Sequence, residues 1–225
     1  MIKILREKNR LNETIFMFAL VLFCFGFSTF RYVYSETKTF LFLNWNLFLA
    51  FIPWALTSIS VIKPALCKSK ITIFILLGLW LLFFPNAPYI LTDLFHLRLK
   101  GLSMPIWFDL ALILSFAWTG LMFGFLSLLD IEAITGKYIK PVYTILLSIL
   151  LLFIGSFGVY IGRYLRWNSW DIITEPFKLI YDIGDRIINP FEHPRTWGMT
   201  ITIGIFLSIV YLSFRLIRKR NNITH

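Results

Sequence analysis

The chain has 225 residues, of which 58% are hydrophobic, 18% aromatic and 15% charged, and it carries a formal net charge of +10. A soluble domain is nearer half apolar and a quarter charged, so this balance excludes an ordinary water-soluble globule and makes lipid the expected solvent. The positive charge does not mark a nucleic-acid binder: Lys and Arg are dispersed between long apolar runs, where they orient helices and meet anionic lipid headgroups.

The basic start, MIKILREKNR, leads into an apolar run from Ile15 to Tyr34. The run is long enough to span a bilayer, and no small-x-small cleavage site follows it, so it reads as an uncleaved first helix rather than a secretory signal. Spanning takes roughly 20 apolar residues, and six stretches meet or approach that length: about 14–34, 40–62, 71–92, 106–128, 141–162 and 197–217. The expected fold is therefore all-α, an integral membrane bundle of about six transmembrane helices. No internal repeat and no Pro/Gly/Ser linker divides it, which gives one membrane domain over residues 1–225. Cys24 lies in an apolar run and Cys67 beside Lys68 in a basic loop, too far apart in depth for a disulfide.

The segment at about 174–189 differs from the spans. Phe177, Ile180, Tyr181, Gly184 and Ile188 recur at helical spacing, while Lys178, Asp182, Asp185 and Arg186 mark the other face. Charges of that number forbid spanning, and the pattern is that of an amphipathic helix lying in the interface. With the N-terminus inside, 13 of the 22 Lys and Arg fall on the cytoplasmic side. The basic flank of the first helix points the same way, so both termini are expected in the cytoplasm.

Four polar clusters interrupt the apolar runs, all at the extracytoplasmic end in that topology. NWNLFLAFIPW holds Asn44, Asn46 and Pro53; FFPNAPYILTDLFHL holds Pro85, Asn86, Pro88, Tyr89, Asp93 and His96. PIWFDL holds Asp109, and GRYLRWNSWD holds Arg163, Arg166, Trp167 and Asp171. Pro85 and Pro88 each remove a ladder hydrogen bond, so the third helix should break or bend sharply, with Asn86 suited to cap its restart. If it restarts as a helix, Asn86, Tyr89, Asp93 and His96 share a face.

Asp93, His96, Asp109 and Asp171 are the acid/base candidates. They could instead serve structure, with Asp109 and Asp171 pairing with Arg163 or Arg166. Asp93 and His96, at i and i+3, could also bind one divalent ion from a single helix. One His with aspartates is weak evidence for a metal site, however, and no CxxC, catalytic triad or nucleotide motif is present; the sequence leaves any cofactor unknown. Arg163 and Arg166, one turn apart, are anion-binding candidates or simple snorkelling side chains. Asp130 and Glu132 read as solvated charges at the cytoplasmic end.

The runs NLFLAFIPW, FPNAPYILTDLFHL and GRYLRWNSWD resemble the bacterial multi-pass membrane proteins grouped as domain of unknown function 1361. The matching positions are Asn46, Pro85, Asn86, Pro88, Tyr89, Asp93, His96, Asp109, Arg163, Trp167 and Asp171. The resemblance implies a multi-pass protein of a bacterial plasma membrane and carries no catalytic role. Three readings stay open: a structural or partner-binding membrane subunit, a membrane-embedded enzyme or binding site for a lipid-linked anion, and a small transporter component. The expected partners are the bilayer, its anionic headgroups and other membrane proteins.

Overall fold

Inside a bilayer every backbone polar group must be satisfied within its own segment, which forces each long apolar run into a helix. The computed structural model describes residues 10–67, 69–98 and 104–221, and among these there is helix and no strand. Six helical stretches are long and apolar enough to cross a membrane. The chain divides into two compact units, Met1–Ile134 and Thr135–His225.

The first unit holds α1 (Leu11–Ser35), α2 (Phe42–Ile62), α3 (Lys70–Phe83), the short α4 (Asn86–Tyr89), a 3-10 stretch (Ile90–Arg98) and α5 (Ile106–Thr135). α5 is the hub. Its apolar window is 78% buried, against 17% for α1, whose outer aromatics are left to lipid. Cys24 of α1 meets Thr119, Phe51 of α2 meets Phe123 edge-on, and Trp80 of α3 donates its indole N–H to Ser127 at 3.0 Å. Each of these neighbours lies along one or another side of α5, so the core of the unit is the helix itself.

The third span is interrupted as its prolines require. The α-helical ladder stops at Phe83, resumes for one turn in α4 and then winds as a 3-10 helix from Ile90. Asn86 acts differently from a cap: its amide donates to the Phe83 carbonyl at 2.9 Å, while the Ala87 N–H bonds Phe84 O at 3.0 Å. The Phe84 carbonyl that Pro88 sets loose and the neighbouring Phe83 carbonyl are thus taken up locally, as lipid demands. α4 lies tight against α5 at Gly120, where an added Cβ would stand 3.0 Å from the Ala87 carbonyl oxygen and 2.9 Å from Ile90 Cδ1. We expect Gly120→Ala to cost about 1–3 kcal/mol through overpacking. Gly26→Ala, with nothing within 4 Å of the new methyl, should cost nothing; paired denaturant melts in detergent check both.

The second unit holds α6 (Pro141–Tyr164), α7 (Asp171–Thr174), α8 (Pro176–Ile188) and α9 (Pro194–Asn221). Pro141 occupies the first turn of α6, where its missing N–H costs no bond. α6 and α9 run antiparallel in close contact, with Phe153 against Gly204 and Phe157 against Trp197. α8 is the amphipathic helix expected near 174–189. Phe177, Tyr181 and Ile188 are 87%, 73% and 77% exposed, while the opposite face is tied down: Trp167 donates to Asp182 at 2.8 Å and Trp197 to the Arg186 carbonyl at 3.0 Å. An apolar face left bare on a helix too charged to span is the arrangement of a helix lying in the membrane interface.

Candidate functional site

The polar motifs of the first unit resolve into three clusters. At the end of the unit where α2 begins, Asn46 Nδ2 donates to Asp93 Oδ2 at 2.9 Å, and Asp93 is 1% exposed. A 3-10 helix repeats every three residues, so His96 stacks on Asp93. Its Nδ1 lies 3.1 Å from the Asp93 carbonyl and 3.8 Å from Oδ1, and its ring sits against Phe42. The Asn86 amide is engaged with the backbone of the break, and the Tyr89 carbonyl accepts from Thr92 Oγ1 at 2.6 Å. Asn44 donates to Ser28 on α1.

Asp109, at the start of α5, pairs with Arg31 of α1 rather than with an arginine of the GRYLRWNSWD motif. Arg31 Nε donates to Oδ1 at 2.6 Å and Nη2 to Oδ2 at 3.3 Å; Nη1 donates to Thr37 Oγ1, and the guanidinium lies over the Phe40 ring. The side chains are 2% and 0% exposed. This is the two-pronged geometry that lets a buried arginine and carboxylate recover their desolvation cost.

The third cluster lies at the other end of the same two helices. Arg10, just before α1, donates to Asp130 of α5, to Glu13 at 2.7 Å and to Ser58 of α2 at 2.9 Å. Thr57 donates to the second Asp130 oxygen, and Trp54 donates to Glu13. Asp130 and Glu132, expected to be solvated, are 8% and 9% exposed. α5 runs on to Thr135, past the expected limit at 128, and so carries Asp130 within the helix. Sequence reasoning overlooked this set because Arg10 and Arg31 were weighed only as topology markers.

A signal was nonetheless there. The same interval, 21 residues, separates Arg10 from Arg31 on α1 and Asp109 from Asp130 on α5. At 1.5 Å per residue that interval is about 32 Å, close to the hydrocarbon thickness of a bilayer. Two antiparallel spans with opposite charges at one interval can close an ion pair at each membrane face.

In the second unit Asp171 organises its own loop, accepting from the Asn168 N–H at 2.6 Å and from Thr174 Oγ1 at 3.1 Å. Arg163 lies in the last turn of α6, but Arg166 falls beyond it in the left-handed region at φ 62°. The two guanidinia are therefore not stacked one turn apart on a helix. Lys178 lies over the Trp167 ring. Hydrogen bonds from Asn189 at 2.8 Å and from His193 at 2.7 Å hold the Asp185 carboxyl below its ordinary range.

A carboxylate so lowered stabilises the fold fully above its unfolded pKa and loses that contribution as pH falls through the folded value. We expect amide protection around 185–193, taken relative to the intrinsic exchange rate at each pH, to be flat at neutral pH and to fall only in acid. Asp185→Asn should abolish that acid step, as hydrogen-exchange mass spectrometry would read.

Among the described residues no group of three or more His, Cys, Asp or Glu is placed to hold a metal ion. No curated protein and no solved structure gives a significant match to the chain. The family pattern described as "Protein of unknown function (DUF1361)" matches residues 45–210, about three quarters of the sequence, and the chain belongs to that family.

Proposed function

We propose that the protein is a structural or partner-binding subunit of a bacterial plasma membrane, whose polar motifs lock helix ends rather than carry a reaction. The observation that supports this most is the Arg31–Asp109 pair: a carboxylate at 0% exposure with both oxygens held by one guanidinium is closed to any substrate. Photocrosslinkers at Leu146 and Ile154, both exposed on α6, should give discrete protein adducts in native membranes. Lipid adducts alone would remove the partner. A His96→Asn variant that melts like wild type yet fails to complement a deletion strain would favour the enzymatic alternative, in which His96 acts as base beside Asp93.

Both termini face the cytoplasm in this proposal. The 13-to-9 distribution of Lys and Arg supports that orientation, and the basic flanks then meet anionic headgroups of the inner leaflet. Cys67 should resist an impermeant thiol reagent in intact cells, whereas a cysteine replacing Lys178 on α8 should react. The opposite pattern would invert the topology.

A further inference from the structure

α8 presents two unlike faces. Phe177, Ile180, Tyr181, Ile187 and Ile188 recur at i, i+3, i+4, i+10 and i+11, so they share one face, and all are exposed, Ile180 to 66%. The other face is fastened to the ends of both spans of its unit. Trp167, three residues past α6, donates to Asp182, and Trp197, in the first turn of α9, donates to the Arg186 carbonyl. The Trp197 ring in turn lies 6.0 Å from that of Phe157. Phe157 is seven residues short of the end of α6, about 10 Å along the helix. α8 therefore flanks the last turns of the spans instead of lying above them. The solvent beside a span at that depth is the boundary between headgroups and acyl chains.

We propose that α8 is seated by its apolar face among the upper acyl segments of the adjoining leaflet, and that it selects loosely packed lipid rather than headgroup charge. Charge gives it no hold on an anionic surface. Residues 163–195 carry five Lys and Arg against five Asp and Glu, and both cations of α8 face carboxylates. Lys178 is 3.2 Å from Glu175, and Arg186 lies 3.8 Å from Asp182 and 3.9 Å from Asp185. Insertion then rests on burial of side chains such as Phe177, Ile180 and Ile188, which requires gaps between headgroups wide enough to admit them. The seat is the same for either orientation of the chain, so it stands independently of the function proposed above.

The test uses the full chain in vesicles, with Cys67→Ser and an environment-sensitive fluorophore attached through Ile180→Cys or, for comparison, Lys178→Cys; Cys24 is buried and stays unlabelled. In dioleoyl phosphatidylcholine the Ile180→Cys label should be quenched severalfold more by a doxyl group on the fifth acyl carbon than by aqueous iodide, and the Lys178→Cys label the reverse. Replacing a third of the lipid with dioleoyl phosphatidylglycerol, or adding salt, should change neither. Cholesterol, which tightens the leaflet, should return the Ile180→Cys label to water, as should Phe177→Ser with Ile188→Ser, two exposed positions. The proposal is overturned if iodide reaches both labels equally, or if anionic lipid draws the Ile180→Cys label inward and salt releases it. It also fails if cholesterol or the paired serines leave that label in lipid. A label shielded from both quenchers would mean that protein, and not lipid, covers the apolar face, and overturns it as well.

Discussion

Asp109→Asn lowers the stability of the detergent-solubilised protein by about 3–5 kcal/mol, because it leaves the Arg31 guanidinium buried without its counter-charge. Arg31 has no route to water: it is 2% exposed, enclosed by Phe40 and Thr37 as well as by Asp109. Asn can accept one of the two hydrogen bonds and can supply no charge. Arg31→Gln should cost a similar amount, since it strands the carboxylate. The pair itself is worth far less than either loss suggests, because both ions were taken out of water to make it. Replacing both partners with apolar side chains, Arg31→Met with Asp109→Leu, should therefore recover most of the stability. Denaturant melts of the four species form a double-mutant cycle. A double variant as unstable as the sum of the singles would mean that the residues act independently and that the lock does not exist.

How far the sequence foretold this arrangement differs from level to level. The six spans and the surface helix were legible because lipid makes an apolar run of given length and a charged amphipathic segment physically incompatible roles. Pro85 and Pro88 announced the broken third span for an equally local reason: a residue without an N–H cannot complete the ladder. Asn86 was misjudged because its amide can donate as well as accept, and the nearest need was the Phe83 carbonyl. The partner of Asp109 was misplaced because pairing was sought among residues of similar conspicuousness, in the GRYLRWNSWD motif. Arg31 sits in an otherwise featureless apolar helix, and only its spacing from Arg10, matched on α5, betrays it. Asp93 and His96 were expected on one face of a resumed helix; the 3-10 winding that brings the His96 ring to the Asp93 carbonyl was not part of that expectation.

Arg10→Met should cost about 3–5 kcal/mol, and more than Asp130→Asn, although the two residues form one ion pair. Arg10 serves two carboxylates, Asp130 and Glu13, with side chains 11% and 12% exposed. Its removal takes the shared cation from both. Asp130→Asn keeps the Arg10–Glu13 pair and an oxygen for the Thr57 hydroxyl, so its loss should be nearer 1–3 kcal/mol, that of an imperfectly replaced buried hydrogen bond. A second readout separates a local loss from a slip of α1 along α5. Cys24 Sγ lies 3.3 Å from Thr119 Oγ1, midway between the two ion pairs, so Thr119→Cys in a Cys67→Ser background places two thiols where mild oxidation can join them. The cross-link should form readily in that background and with Asp130→Asn. With Arg10→Met, which frees one end of α1 from α5, its yield should drop. Equal destabilisation by the two substitutions, or an unchanged cross-link in Arg10→Met, would show that Arg10 does not fix the position of the first helix.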